Sequence, residues 1–78
     1  MDEQKKEITM AIASRIRHYR QSKGLSQEEL ALRASLNPAY FGQVERGLKC
    51  PTVDTLNKIA LALDIPLPEL VRFNTVPS

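Results

Sequence analysis

The chain has 78 residues, a single small domain that buries only about 60% of its unfolded surface and leaves little room for a catalytic cleft. Its one cysteine excludes an internal disulfide, and no apolar run approaches about 20 residues, the length that spans a bilayer. A net charge of +2 is too small to predict a nucleic-acid partner by itself. Because the start of the chain lacks a signal-peptide pattern, we expect a cytoplasmic protein without membrane contact.

The first predicted helix runs from about Ile8 to Lys23 and follows a flexible N-terminal segment of residues 1–7. Its apolar residues recur at helical spacing and share one face: Ile8, Ile12, Ile16 and Tyr19. Gly24 comes next and is suited to a left-handed helix stop. Aromatic residues make up only 5% of the chain, which favours a small helical bundle over a sheet.

Two short helices are predicted next, about three residues apart. The second helix begins at the capping box Ser26–Glu29 and ends near Arg33 or Ala34. The third helix runs over Pro38–Arg46, with Asn37 as its N-cap. Two helices joined by so short a turn must cross steeply.

The same spacing predicts most of the core. The third helix buries Phe41 and Val44, and Leu48 lies just beyond its C-cap Gly47. The fourth helix begins after the N-cap Thr52. Its inward residues are Val53, Leu56, Ile59, Ala60 and Leu63.

A last short helix is predicted to begin near residues 66–68. It carries Leu70, Val71 and Phe73, and the tail of residues 74–78 is expected to fray. The chain is therefore predicted to be all-α, a compact five-helix bundle with one domain over residues 8–73.

Several segments along the chain form an ordered set of motifs. They are Ser26–Ala31, Ala34–Leu36, Tyr40–Gly47, Pro51–Leu56 and Ile59–Leu63. Together they resemble the phage Cro and repressor family of helix-turn-helix regulators over about residues 12–72. The resemblance implies a lambda-repressor-like domain that binds double-stranded DNA as a homodimeric transcriptional regulator. The segment Tyr40–Gly47 and the short length further resemble the controller proteins of restriction–modification systems.

The third helix is the candidate reading helix, because the second helix of a helix-turn-helix lies in the major groove. Its exposed face is predicted to present Ala39, Tyr40 and Gln43 to the bases. Gln43 can pair with adenine, and Ala39 can touch a thymine methyl group. Tyr40 can contact a phosphate or stack on sugar and base. The alternatives are a solvated Gln43 amide and a Tyr40 ring that covers the core edge.

Five residues are predicted to contact DNA phosphates: Gln27, Asn37, Arg46, Lys49 and Arg17. The role of Gln27 is implied by the family, whose corresponding glutamine contacts the DNA backbone. Asn37 would combine this role with its helix cap. Arg46 and Lys49 follow the reading helix and could instead be ordinary solvated cations.

An arginine-rich stretch of the first helix, residues 15–23, contains no acidic residue and includes Arg17. The family pairs the glutamate at the position of Glu45 with an arginine of this helix. The resemblance therefore implies a structural pair of Arg20 and Glu45, because an unpaired carboxylate in a DNA-facing helix would repel phosphates.

The C-terminal part of the chain has more apolar residues than one short helix needs for inward packing. Five are predicted to form the homodimer interface: Leu61, Ile65, Leu67, Val71 and Phe73. Each of them could instead complete the small core. A dimer is expected because one reading helix contacts only half of a site, and half-sites lie about 34 Å apart.

Three residues depart from the family pattern. Ser35 stands where the turn usually has glycine, Gly42 lies inside the reading helix, and Leu32 replaces a polar residue. His18 and Cys50 lack partners for a metal or catalytic site, so no enzyme, cofactor, metal or small-molecule ligand is predicted. The alternative function is a protein-interaction module, such as an antitoxin or adaptor with the same fold.

Overall fold

Four α-helices and one 3₁₀ helix form the fold of residues 3–72, the part of the chain that this computed structural model describes. The helices are α1 Glu3–Ser22, α2 Gln27–Arg33, α3 Pro38–Glu45, α4 Val53–Leu63 and a C-terminal 3₁₀ helix, Leu67–Leu70. Residues 3–72 contain no β-strand, which confirms the predicted all-α class. The Cα radius of gyration of 11.9 Å is close to the roughly 11.5 Å expected for a folded chain of this length.

Helix α1 begins at Glu3, so the predicted start at about Ile8 is wrong. The sequence from Glu3 to Glu7 contains only glutamate, glutamine and lysine, which are good helix formers. The Thr9 hydroxyl also donates to the Lys5 carbonyl at 2.8 Å, a bond within the first turns. Residues 3–7 are therefore helical, and the mobility expected of this segment stays a prediction.

The helix-turn-helix forms through local capping, as predicted. The Glu29 amide donates to Ser26 Oγ at 3.0 Å, and the Ser26 amide donates to Glu29 Oε1 at 3.0 Å, which closes the capping box. Ser35 turns the chain with a left-handed φ of 57°. Asn37 Oδ1 then accepts from the amides of Ala39 and Tyr40 at 2.8 and 3.1 Å and begins α3.

Every helix contributes the residues of one face to the hydrophobic core. Its buried members include Ile12 and Ile16 of α1, Leu30 of α2, Phe41 and Val44 of α3, Ile59 and Leu63 of α4, and Leu70. Val53, which was predicted to be inward, is 72% exposed, and Leu48, just beyond the C-cap of α3, is 63% exposed. Val53 is the first residue of α4, and Leu48 follows the left-handed turn at Gly47, where φ is 75°. Helical spacing predicts the face of a residue, not whether neighbouring elements reach the helix end.

The predicted last short helix is a single 3₁₀ turn, so the structure has four α-helices and not a full bundle of five. Pro68 disfavours the α conformation at Leu67, which lies between Pro66 and Pro68 at the start of this turn. Instead, the amides of Glu69 and Val71 donate to the carbonyls of these two prolines at 3.0 and 3.2 Å. The predicted positions of Phe73 and the tail of residues 74–78 lie outside the described residues.

The packing separates two sides of the molecule. Helix α3 packs against α1 and α2, whereas the 3₁₀ helix packs against α1 and α4. Helix α3 and the C-terminal turn are therefore both supported by α1, each together with a different second helix.

Candidate nucleic-acid interface

Helix α3 carries a row of residues that is open to solvent. Ala39 and Arg46 are exposed and Gln43 is half-buried, and their spacing places all three on one side of the helix. Among residues 3–72, no side chain is hydrogen-bonded to the Gln43 amide, so both its donor and acceptor groups remain available to a ligand. Tyr40 lies beside the row, half-buried, and its ring packs against the core.

Two further residues predicted to contact phosphates are accessible near this row. Lys49 is exposed in the loop after α3. Asn37 is exposed at the start of α3, and its Oδ1 is occupied by the cap bonds while its amide nitrogen can still donate. The structure thus brings Asn37, Arg46 and Lys49 to the two ends of the reading helix.

Glu45 is completely buried at the end of α3, where it meets Arg20 of α1. Arg20 Nε lies 2.6 Å from Glu45 Oε2, and Nη2 lies 3.1 Å from Oε1. The third nitrogen, Nη1, donates to the Leu25 carbonyl at 2.7 Å. This fork-shaped pairing neutralises the carboxylate and fixes α3 against α1 and the loop before α2.

Two residues predicted to contact phosphates are bonded to Glu45. Gln27 Nε2 donates to Glu45 Oε1 at 3.1 Å, and an Arg17 guanidinium nitrogen donates to the Glu45 carbonyl. Glu45 therefore accepts hydrogen bonds from side chains of both α1 and α2. The spacing of residues 15–23 predicted a basic stretch, but it did not reveal that Arg17 and Arg20 bond to the end of the reading helix.

A second polar cluster joins α1 to the C-terminal 3₁₀ helix, and the sequence did not predict it. Tyr19 donates its hydroxyl to Glu69 Oε2 at 2.8 Å, and Arg15 Nη2 lies 3.3 Å from the same oxygen. Arg15 Nε also donates to the Glu69 carbonyl, and Arg72 lies 3.1 Å from Glu69 Oε1. The i,i+4 spacing of Arg15 and Tyr19 was visible, but their partner is 54 residues from Arg15.

This cluster shifts two pKa values in opposite directions. The hydrogen bond from Tyr19, helped by the positive charges of Arg72 and Arg15, lowers the pKa of Glu69 below its ordinary value of 4.5. The same hydrogen bond raises the pKa of Tyr19 above 10.0, since ionised Tyr19 would face a carboxylate. The cluster is therefore complete at neutral pH.

The residues predicted for a dimer interface differ in exposure. Leu61 is 72% exposed and Val71 is exposed, whereas Ile65 and Leu67 are half-buried and pack against the core. Phe73 lies outside the described residues. Leu61 is flanked on one side by a shallow depression beside Ile65 and on the other by one beside Ser35.

Neither of two other kinds of site occurs in the described part of the chain. No helix between residues 3 and 72 is long and apolar enough to cross a membrane. Over the same range, no three residues of the types His, Cys, Asp and Glu come together as metal ligands.

The capped pair α2–α3, with an open polar row on α3, defines a helix-turn-helix protein. The family model described as helix-turn-helix matches residues 16–70, and the chain belongs to this family. It is a DNA-binding transcriptional regulator of that class.

Similar proteins and solved structures are also control proteins or regulators. The control protein C.BamHI of Bacillus amyloliquefaciens is 33% identical over 70 residues, which cover 88% of this chain and 86% of that protein. The restriction-modification controller protein C.AhdI of Aeromonas hydrophila has a TM-score of 0.78 at 42% identity, covering 80% of this chain and 94% of that one. The biofilm master regulator SinR, solved in complex with DNA, has a TM-score of 0.75 at 35% identity, covering 78% and 98%.

Proposed function

We propose that the protein binds a pseudo-palindromic operator as a homodimer and regulates transcription from it. The observation that carries the proposal is the solvent-open row on α3, where the Gln43 amide has free donor and acceptor groups. A glutamine in this state can form the bidentate pair with adenine in the major groove. Ala39 would contact a thymine methyl group, and Tyr40 would stack on sugar or donate to a phosphate.

Phosphate contacts would come from both ends of the reading helix. Asn37 would donate its amide nitrogen at the start of α3, and Arg46 and Lys49 would contact phosphates after its end. Arg17 stays a prediction in this role, because one of its nitrogens already donates to the Glu45 carbonyl. Since each lysine or arginine releases counterions from DNA, binding should weaken steeply with salt.

The homodimer is proposed on the C-terminal side of the molecule. Leu61 and Val71 are exposed on α4 and after the 3₁₀ helix, elements that lie away from α3. The domain measures 37 by 23 by 20 Å, so two copies side by side can place their reading helices about 34 Å apart. Ile65, Leu67 and Phe73 would extend this interface. A DNA-binding regulator would work in the cytoplasm, which also stays a prediction.

The first experiment is selection of a randomised duplex pool by the purified protein at two salt concentrations. We expect enrichment of a two-fold symmetric site, lost in the double variant Gln43→Ala, Arg46→Ala, with affinity that falls as salt rises. Enrichment without symmetry, together with light scattering that shows only monomer at high concentration, would contradict the homodimer. Absence of any enrichment would contradict sequence-specific binding.

A further inference from the structure

The reading helix has no side chain at Gly42, which lies beside its exposed row of Ala39, Gln43 and Arg46. Ala39, Gly42 and Arg46 follow each other at spacings of three and four, so they lie one above the other on α3. Gly42 is nevertheless buried. Something from outside α3 therefore covers the position where a side chain at residue 42 would stand.

The covering group is the Gln27 amide of α2. A methyl group added at Gly42 would lie 3.7 Å from Gln27 Oε1, and no other side chain outside α3 among residues 3–72 comes within contact distance of it. Gln27 is an exposed residue, and among residues 3–72 no donor is hydrogen-bonded to its Oε1. The Gln27 amide oxygen therefore lies at van der Waals distance from the place of a residue-42 side chain.

Glu45 decides which way this amide faces. An ionised carboxylate only accepts hydrogen bonds, so the group turned toward Glu45 must be Nε2, which donates at 3.1 Å. The buried pair with Arg20 holds the carboxylate in place. One N–H of Gln27 is thereby occupied, and the second N–H and Oε1 remain as a fixed donor–acceptor pair.

We propose that Gln27 is a specificity-determining residue that reads a base edge from α2, in the space that Gly42 leaves beside the exposed row of α3. A phosphate offers only acceptors and would use only the free N–H, while the edge of adenine offers a donor and an acceptor and matches both groups. The family resemblance assigned Gln27 a phosphate contact, and the structure points to a different role. This inference rests on the proposed DNA-binding function.

The test compares affinities for the selected operator and for every single base-pair change in it. Gln27→Ala and the similarly sized Gln27→Met should flatten the preference at one position in each half-site by roughly 5- to 150-fold and leave other positions unchanged. Lys49→Gln is the matched control and should weaken all sequences equally, with a smaller salt dependence. Because each preference is a ratio measured on one variant, partial unfolding does not change it.

Two outcomes would overturn the inference. Equal weakening of all sequences by Gln27→Ala would make Gln27 a backbone contact, and an unchanged preference at every position would remove it from recognition. A wild-type protein that selects no operator would instead refute the proposed function itself, so the two failures are distinguishable.

Discussion

Two carboxylates, those of Glu45 and Glu69, each pair with an arginine of α1, but one pair is buried and the other is partly exposed. Glu45 binds Arg20 at the end of the reading helix, where their side chains are 0% and 13% exposed. Glu69 binds Arg15 in the C-terminal turn, where both side chains are close to 30% exposed. Charges out of water interact strongly and are costly to leave unpaired, whereas water screens the exposed pair. Removing one partner should therefore cost more stability at the Glu45 pair than at the Glu69 pair.

The two segments also share a strained backbone position. Ser35, between α2 and α3, and Asp64, after α4, both have a φ of 57°. Aspartate tolerates the left-handed conformation better than most residues because its short side chain can bond locally. Ser35 is thus the less suited residue, and it lies in the segment that the buried pair supports.

The largest expected effect is loss of the buried pair. Arg20→Met should lower the free energy of unfolding by about 3–5 kcal/mol, because Glu45 remains buried without its charge partner. Urea denaturation measures the change. Arg15→Met is the matched control and should cost much less, since Glu69 stays partly hydrated and keeps Tyr19 and Arg72. Equal losses in the two variants would contradict the difference between the two regions.

The next effect concerns the two left-handed turns. Ser35→Gly should raise the free energy of unfolding by about 1 kcal/mol, because glycine adopts this conformation without strain. For a domain of this size that corresponds to a rise in Tm of roughly 4–8 °C. Asp64→Gly should give a smaller gain. An Asp64→Gly variant that gains as much as Ser35→Gly would contradict the assignment of strain to Ser35.

The smallest effect depends on pH and comes from the exposed cluster. The pKa of Glu69 is lowered in the folded protein, so its contribution is present above pH 4.5 and is lost as pH falls through the folded pKa. The pKa of Tyr19 is raised, so its contribution is present below pH 10.0 and is lost as pH rises through the folded pKa. Tyr19→Phe should therefore lower the urea midpoint at pH 7 and lower it less at pH 3.

The control for this variant is Tyr40→Phe. Within residues 3–72 the Tyr40 hydroxyl has no hydrogen-bond partner, so its removal should leave the midpoint nearly the same at both pH values. A Tyr19→Phe effect that does not change between pH 7 and pH 3 would mean that the hydroxyl does not act through the Glu69 charge.

Much of the fold could be predicted because each helix boundary depends on residues close in sequence. The capping box of Ser26 and Glu29, the cap at Asn37 and the stop at Gly24 each need only neighbours within a few positions. The wrong start of α1 had a different origin. The polar residues after Glu3 show no apolar periodicity, although their helix propensity is high.

The candidate site was predictable in part, for a related reason. Helical spacing indicated that Ala39 and Gln43 share a face of α3 turned away from the buried Phe41 and Val44, and the structure shows Ala39 exposed and Gln43 half-buried. The spacing could not reveal that Gln27 fills the gap at Gly42, since that depends on how closely α2 approaches α3. The spacing also could not show that Arg15 and Arg20 pair with carboxylates in two different segments.

The sequence by itself thus determined the all-α class, most helix boundaries, helix α3 and the turn that precedes it. The tertiary structure decided where each arginine of α1 bonds, which way the Gln27 amide faces, and that Val53 and Leu48 are exposed. The physical reason is the distance along the sequence over which each kind of interaction acts. Caps and periodicity act within one or two helical turns, whereas the partners of Arg20, Gln27 and Arg15 are 25, 18 and 54 residues away.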